Sequence, residues 1–309
     1  MAKLCRYIFE SVLTCNMCGA DTSRAKVLGQ RLNRSQGMCP KALPGITVSV
    51  LKCGDCGLIF SNPLPKPENI QDHYGAEPES YWNEDYFQVS PDYFREEIDT
   101  AKRLLGFEEG MTSLDIGSGI GKGIVAQRNA GFDAYGLEPS DTFRKAAIER
   151  MGVPEERIFG AMLEEAEFKE NSFDFVTFGA VLEHLYDPSE SIRRVLSWLR
   201  PSGVMHIEVP SADYLVNRIA NAFYRFSGSS FVSNISPMHR PFHLYEFALE
   251  SFTRHARDNR YEIAEHTHYV GPIYNIPAFA HGPLKKIMRW GKSGMQLTVW
   301  LRKTGDRNQ

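Results

Sequence analysis

A glycine-rich segment at residues 113–121 constrains the fold more than any other part of the chain. It reads Ser-Leu-Asp-Ile-Gly-Ser-Gly-Ile-Gly, and residues 122–130 then have the composition of a helix that Gly131 ends. Glycine is needed in such a turn because the backbone bends through conformations that a Cβ forbids and comes close to a ligand. The segment therefore predicts a strand, a tight turn and a helix.

A carboxylate follows the next β-type run. Residues 133–137 end in Glu138, which stands seventeen residues after Gly121. At the end of a second parallel strand, a carboxylate is placed to accept hydrogen bonds from both hydroxyls of a ribose. The spacing Asp-x-Gly-x-Gly-x-Gly differs from the dinucleotide pattern G-x-G-x-x-G. Together the two segments indicate a nucleoside-containing ligand rather than a loop in which glycine serves only the backbone.

Four segments stand in the order that a known family shows. They are Leu-Asp-Ile-Gly-Ser-Gly-Ile-Gly at 114–121, Gly-Leu-Glu-Pro-Ser at 136–140, Ser-Phe-Asp-Phe-Val-Thr-Phe-Gly-Ala-Val-Leu-Glu-His-Leu at 172–185 and Leu-Arg-Pro-Ser-Gly at 199–203. In this order they resemble the class I S-adenosylmethionine-dependent methyltransferases. The resemblance implies an α/β fold with a Rossmann-like, doubly wound, seven-stranded sheet whose last strand is antiparallel. It also implies an enzyme that uses S-adenosyl-L-methionine as its methyl donor.

The same resemblance assigns the cofactor site. It implies that the turn at 117–121 holds the methionine end of the cofactor, that Glu138 holds the ribose and that residues 161–164 flank the adenine. The cofactor-binding residues that we predict on this basis are Asp115, Gly117, Ser118, Gly119, Gly121, Glu138, Pro139, Ala161, Met162, Gly179 and Val181.

The six cysteines of the chain all lie within its first 56 residues. Four of them form two C-x-x-C pairs, each followed by glycine, and four thiolates at such spacing can surround one tetrahedral Zn²⁺. We predict a structural zinc site at Cys15, Cys18, Cys53 and Cys56, with reduced cysteines that bind no metal as the alternative. Cys5 and Cys39 belong to neither pair. The pairs also resemble the zinc-ribbon leader of a subset of these methyltransferases, including sugar C-methyltransferases.

Prolines at 63, 65 and 67 predict an extended connector, because proline fixes the backbone and cannot continue a helix. We therefore predict a zinc-ribbon-like domain at 1–62, a proline- and aromatic-rich connector with a leading helix at 63–110, and the methyltransferase domain at 111–309. The aromatic stretch at 72–94 either covers a ligand or packs between the two domains.

Alternating β and α patterns after the glycine turn predict a parallel sheet with its ligand site at the carboxyl ends of the strands. In the last third of the chain, residues 245–257 predict a helix, and residues 261–269 and 296–302 predict strands. Insertions at 211–242 and 271–294 separate these elements. Long loops at the ligand edge of a sheet usually build substrate pockets, so we assign substrate recognition to the insertions.

Two histidines are candidate catalytic residues. His184 follows the fourth strand of the pattern, a position that faces the reactive methyl group in the resembled fold. His243 lies in a stretch that resembles Glu-His-Leu-x-Tyr-Phe, which carries a catalytic base in zinc-ribbon sugar methyltransferases, but Phe242 replaces the usual acid. We predict both as catalytic because histidine can lose and gain a proton near neutral pH. A structural histidine is the alternative for each.

Glu183 and His184 also resemble part of the Glu-x-x-Glu-His metal motif of some quinone and RNA-end O-methyltransferases. That motif has a carboxylate where this chain has Ala180, and an alanine side chain cannot bind a metal. The sequence therefore argues against a catalytic divalent cation.

The whole chain has a formal net charge of −3, so electrostatics predict no general attraction to nucleic acid or to an anionic membrane. The amino terminus has no apolar core followed by a cleavage site, and no eighteen apolar residues run together, so we expect a cytoplasmic protein. We predict a small polar acceptor, such as a nucleotide-linked sugar or glycan precursor. The alternatives are an RNA methyltransferase whose zinc ribbon binds the phosphates of RNA, and a non-catalytic protein that binds S-adenosylmethionine.

Overall fold

The computed structural model describes residues 6–32, 45–69, 87–273 and 276–304. Two elements of the sequence analysis fall outside these ranges: the cysteines at 5 and 39, and the part of the aromatic stretch that precedes residue 87. Within the described residues, no helix combines the length and the apolar character that a membrane crossing requires.

The described residues form thirteen strands and seven α-helices, numbered here in chain order. The strands are β1 (Tyr7–Glu10), β2 (Lys26–Leu32), β3 (Thr47–Lys52), β4 (Ile59–Asn62), β5 (Leu64–Pro67), β6 (Thr112–Ile116), β7 (Asp133–Leu137), β8 (Ile158–Phe159), β9 (Phe173–Gly179), β10 (Leu199–Pro210), β11 (Tyr245–Glu246), β12 (Tyr261–Tyr269) and β13 (Gln296–Lys303). The helices are α1 (Arg95–Leu105), α2 (Lys122–Asn129), α3 (Asp141–Glu149), α4 (Pro188–Trp198), α5 (Leu215–Phe226), α6 (Leu249–Asp258) and α7 (His281–Trp290).

A seven-stranded sheet in the order β12-β13-β10-β9-β6-β7-β8 forms the centre of the molecule. Strands β6 to β10 pair in parallel, whereas β13 is antiparallel to both β10 and β12. The side chains of β9 are buried except at its last residue, as expected for a central strand covered on both faces. The predicted α/β class, with seven strands and an antiparallel last strand, is confirmed.

Side-chain caps begin two of the helices that flank this sheet. Ser140 Oγ accepts a hydrogen bond from the Phe143 backbone N–H, and Asp187 Oδ1 accepts one from the Glu190 N–H at 2.9 Å. These bonds satisfy backbone donors that have no partner inside the helix. Strand β12 has the predicted limits, and β13 extends one residue beyond its predicted end.

The amino-terminal part forms a separate four-stranded sheet in the order β11-β4-β3-β2. Its fourth strand comes from the far end of the chain, because Tyr245 and Glu246 pair antiparallel with Phe60 and Ile59. The predicted helix at 245–257 is therefore wrong at its start, and α6 begins at Leu249. Sequence periodicity could not show this, since the edge that Tyr245 and Glu246 complete lies nearly two hundred residues earlier.

The proline-bearing segment is extended, and as β5 it pairs antiparallel with β1. Further hydrogen bonds join the amino-terminal sheet to the insertion at 211–242: the Gln30 N–H donates to Ser230 O at 2.8 Å, and the Val232 N–H donates to Gln30 O at 3.1 Å. The amino-terminal sheet is therefore packed against the insertion at 211–242 rather than tethered to the later part of the chain by the connector alone.

A buried carboxylate joins the insertion at 211–242 to the amino-terminal sheet. Glu246 is 5% exposed, and its Oε1 accepts a hydrogen bond from the Ile235 N–H at 3.0 Å. The amide of Asn234 donates to the other oxygen, Oε2. Because Glu246 itself lies in β11, it holds the insertion against the edge of the amino-terminal sheet.

We expect Glu246→Ala to lower the free energy of unfolding by about 1–3 kcal/mol, because it leaves buried amide donors without an acceptor. Urea denaturation followed by circular dichroism measures this. Glu262→Ala on β12, where the side chain is exposed, is the control and should change stability by less than about 0.5 kcal/mol. Equal stability of the two variants would show that Glu246 does not hold the insertion.

Candidate functional site

A cavity of 510 Å³ opens at the carboxyl ends of β6, β7, β8 and β9. All the predicted cofactor residues except Gly121 line it: Asp115, Gly117, Ser118, Gly119, Glu138, Pro139, Ala161, Met162, Gly179 and Val181. Of the two predicted catalytic histidines, His184 lines the cavity, whereas His243 lies behind it. The insertion at 211–242 contributes Arg240, Pro241 and Phe242 to the wall.

The three glycines of the turn have left-handed backbone angles, with φ of 65° at Gly117, 55° at Gly119 and 80° at Gly121. A Cβ at Gly117 would lie 2.6 Å from a methyl carbon of Val181, and one at Gly121 would lie 2.8 Å from a methyl carbon of Val153. A Cβ at Gly119 would meet nothing within 4 Å. Packing therefore requires the outer two glycines, while Gly119 leaves backbone open to a ligand in the cavity.

Glu138 is held by the turn and remains almost fully buried, at 5% exposed. Its Oε2 accepts a hydrogen bond from the Gly119 N–H at 2.7 Å, and its Oε1 accepts one from the Ser140 N–H at 2.8 Å. Burial raises the pKa of Glu138 to about 7, although both N–H donors act in the opposite direction. Burial and the neighbouring Glu138 raise the pKa of Asp115 to about 7. The cavity thus holds two acids whose ionised forms lack solvation.

These features fit S-adenosylmethionine. Ribose hydroxyls can donate to the remaining lone pairs of Glu138, and the positive charges of the cofactor would stabilise two poorly solvated carboxylates. The Ser118 hydroxyl is buried and has no hydrogen-bond partner among the described residues, so it too is available to a ligand. When bound, the cofactor supplies a methyl group on a positively charged sulfur.

Three titratable side chains meet at one end of the cavity. Oε1 of Glu183 lies 3.9 Å from Nε2 of His184 and 3.7 Å from Nε2 of His243, and the two imidazole ring centroids are 5.1 Å apart. Glu183 is only 1% exposed, and burial raises its pKa to about 8. Burial, together with His184, lowers the pKa of His243 to about 3. We call these three residues the acceptor-end cluster.

The four cysteines of the C-x-x-C pairs come together as the spacing predicts. The Sγ atoms of Cys15 and Cys56 are 3.5 Å apart, those of Cys18 and Cys53 are 3.7 Å apart, and all four lie within 4.8 Å of one another. Four sulfurs at 2.3 Å from a tetrahedral Zn²⁺ would be about 3.8 Å apart. The donor set and its spacing therefore fit zinc.

The sequence does not single out two contributors to the site. Its pattern places Glu183 only in an incomplete metal motif, and Arg240 only within an insertion assigned to substrate recognition. The histidine-rich loop around Arg240 is a visible signal, but it does not tell which side chains reach the cavity.

The central sheet and the glycine-turn cavity define a class I S-adenosylmethionine-dependent methyltransferase. The family described as "Methyltransferase domain" matches residues 91–280, and the chain belongs to it. The predictions of the family, of a methyltransferase and of the S-adenosylmethionine cofactor are thereby confirmed.

Phosphoethanolamine N-methyltransferase 2 of Caenorhabditis elegans is 28% identical over 130 residues, which are 41% of this chain and 30% of that protein. The chain thus spans about a third of the length of this curated relative. Among solved structures, Haemonchus contortus phosphoethanolamine N-methyltransferase 2 in complex with S-adenosyl-L-methionine is 16% identical, with a TM-score of 0.50, over 80% of this chain and 63% of that one. An S-adenosylmethionine-dependent methyltransferase of Mesorhizobium loti is 15% identical, with a TM-score of 0.49, over 70% of this chain and 100% of that one.

Ionisation of Glu138 should make the stability of the ligand-free protein depend on pH. Its folded pKa of about 7 exceeds the ordinary glutamate value of 4.5, so between these values the folded state keeps a proton that the unfolded state has lost. The contribution of Glu138 to stability therefore falls as pH rises through this window. Glu138→Gln removes this titration.

We expect Glu138→Gln to gain stability relative to the wild type as the pH rises. The difference in free energy of unfolding, variant minus wild type, should increase by about 1–3 kcal/mol between pH 5 and pH 8. Urea denaturation at the two pH values measures the difference. Glu164→Gln, at an exposed residue of the same cavity, is the control and should show no such change. A pH-independent difference for Glu138→Gln would contradict the ionisation argument.

Proposed function

We propose that the protein methylates a small polar acceptor that carries hydroxyl groups, such as a nucleotide-linked sugar or glycan precursor. The observation that supports this most directly is the composition of the acceptor end of the cavity, where His184 and Arg240 line the wall beyond the glycine turn. A guanidinium is well suited to bind a phosphate, and an imidazole to handle a proton of the acceptor.

In this reaction the acceptor atom attacks the methyl carbon in line, the carbon–sulfur bond breaks and its electron pair remains on sulfur. The protein must align the two reactants and receive the proton that the acceptor loses. We assign the second task to the acceptor-end cluster, in which His184 reaches the cavity and Glu183 and His243 stand behind it.

The name of the relative from Caenorhabditis elegans adds a second acceptor to test. Phosphoethanolamine, like a nucleotide-linked sugar, is small and polar and carries phosphate, so Arg240 could bind either. The zinc-ribbon RNA methyltransferase remains the alternative, whereas the match to the methyltransferase family argues against the non-catalytic binding protein.

We expect the double variant His184→Ala, His243→Ala to lose methyl transfer by at least about 100-fold while its affinity for S-adenosylmethionine stays within a factor of about three. A screen with radiolabelled S-adenosylmethionine against nucleotide-linked sugars, phosphoethanolamine and total RNA measures transfer, and calorimetry measures affinity. His266→Ala on the edge strand β12 is the control.

The screen separates the alternatives. Label in the small-molecule pool that disappears in the double variant supports the proposal. Label in RNA would favour the RNA methyltransferase, and tight cofactor binding without transfer to any acceptor would favour the non-catalytic protein. If the double variant retained methyl transfer, neither histidine would be required for the reaction.

We further propose that Cys15, Cys18, Cys53 and Cys56 hold one structural Zn²⁺. The Cys56 carbonyl accepts a hydrogen bond from the Ser251 hydroxyl at 2.9 Å, so the cysteine cluster is joined directly to α6 of the catalytic part. Such a site contributes to folding outright, because its four ligands come together only in the folded state. The domain limits at 1–62, 63–110 and 111–309 and the cytoplasmic location also remain proposals.

Metal analysis should find one more zinc per chain in the wild type than in Cys53→Ser, Cys56→Ser, which should also be less stable. The double variant Cys5→Ser, Cys39→Ser is the matched control, because it removes two thiols outside the C-x-x-C pairs, and it should keep the zinc. Equal zinc content in both double variants would rule out the site.

A further inference from the structure

We propose that Glu183, His184 and His243 form a binding site for a divalent cation at the acceptor end of the cavity. Their ligand atoms, one from each side chain, lie within 4.8 Å of one another. The inference rests on the proposed function and deepens it, because it names the chemistry by which the acceptor would be activated.

The spacing of the three side chains is that of ligands around an ion. Nε2 of His243 and Nε2 of His184 lie 3.7 and 3.9 Å from Oε1 of Glu183, which is too far for direct hydrogen bonds. Nitrogen and oxygen ligands of a tetrahedral Zn²⁺ are about 3.4 Å apart. The two carboxylate–imidazole separations therefore exceed those around a bound ion by only a few tenths of an ångström, and the two imidazole ligand atoms lie within 4.8 Å of each other.

The carboxylate of Glu183 provides a second, independent observation. Its side chain is 1% exposed, and Oε2 has no hydrogen-bond partner among the residues that the structure describes. A buried carboxylate oxygen without a partner is costly, and such groups usually bind a cation or are otherwise satisfied. No lysine or arginine forms an ion pair with Glu183 in the described part of the chain, and its two near neighbours are imidazoles.

The backbone around the cluster orients its ligands. Nδ1 of His184 lies 3.3 Å from the carbonyl oxygen of Phe242, and an N–H donated there fixes the tautomer in which Nε2 carries the lone pair. Metal-binding histidines commonly donate their second ring nitrogen in this way. The loop that carries His243 is fixed on both sides, since the Leu244 N–H donates to Glu183 O at 2.8 Å and the Ser236 N–H donates to His243 O at 2.9 Å.

Two imidazoles and one carboxylate suit Mn²⁺, Fe²⁺ or Zn²⁺, and three protein ligands leave coordination positions open. Because His184 lines the cavity, an open position can face the acceptor. A cation there would bind a hydroxyl oxygen and lower its pKa, so acceptors with hydroxyl groups are favoured over amines. In this arrangement His184 and His243 act as ligands rather than as proton acceptors, and the hydroxyl proton passes to solvent. Ala180 removes one ligand of the Glu-x-x-Glu-His motif, but the sequence does not show that the distant His243 lies beside Glu183 and His184.

The test uses Mn²⁺ and the full chain. EDTA first removes loosely bound metal from the protein, under conditions in which metal analysis shows that zinc at the cysteines is kept. Electron paramagnetic resonance of added Mn²⁺ measures binding without any reaction. We expect one bound Mn²⁺ per wild-type chain and an affinity at least about tenfold lower in Glu183→Gln, which removes the anionic ligand but keeps the shape.

Glu208→Gln is the matched control. Glu208 is a nearby half-buried carboxylate on β10 that accepts a hydrogen bond from Gln296 at 2.9 Å and lies outside the cluster, so its variant should bind Mn²⁺ like the wild type. Absence of Mn²⁺ binding in the wild type, or equal binding in Glu183→Gln, would overturn the proposal.

The methyl-transfer screen, repeated with EDTA and with added Mn²⁺, separates this proposal from the proposed function. Transfer that EDTA does not affect would overturn the cation site and leave the function standing. Specific Mn²⁺ binding without methyl transfer to any acceptor would support the cation site and contradict the proposed function. Transfer that requires Mn²⁺ and falls in Glu183→Gln would support both.

Discussion

The pairing of the two-residue strand β11 with β4 determines how the acceptor end of this enzyme is built. Tyr245 and Glu246 complete the edge of the amino-terminal sheet, and His243 lies only two residues before them. The intervening residue, Leu244, donates its N–H to the carbonyl of Glu183. One short stretch of backbone therefore joins the cysteine-bearing sheet to the acceptor-end cluster, and the position of His243 depends on both contacts.

The cofactor end is built on a different constraint, which is the cost of burying acids. Asp115 and Glu138 stand in one cavity with their pKa values raised to about 7, so their ionised forms reduce the stability of the ligand-free protein. A ligand that brings hydroxyl donors and positive charge removes part of this cost. The same burial that lowers the stability of the ligand-free protein thus increases the preference of the cavity for a cationic nucleoside. Functional sites commonly combine reduced stability with such perturbed acids.

The sequence predicted which residues gather around the glycine turn, because that end of the cavity is built from neighbouring parts of the chain. The glycine turn, the strand before it and Glu138 lie within twenty-seven residues, and their backbone requirements are visible in the residue types. The acceptor end was predicted only in part, because it is assembled from distant segments. His184 and His243 could each be singled out, but their approach to Glu183 depends on the β4 and β11 pairing, which replaced the start of a predicted helix.

The two ends of the cavity should therefore respond differently to loss of the cysteine cluster. Glu138 and Gly119 rest on β6 and β7 of the central sheet, which pair with no strand of the amino-terminal sheet. At the acceptor end, Asn16 of the first cysteine pair donates to the Tyr186 carbonyl at 2.9 Å, and the Tyr245 hydroxyl donates to the same oxygen at 2.9 Å. Tyr186 itself lines the cavity. A disturbance at the cysteines thus reaches the acceptor wall through hydrogen bonds, whereas Glu138 accepts its hydrogen bonds from Gly119 and Ser140, which follow β6 and β7 of the central sheet.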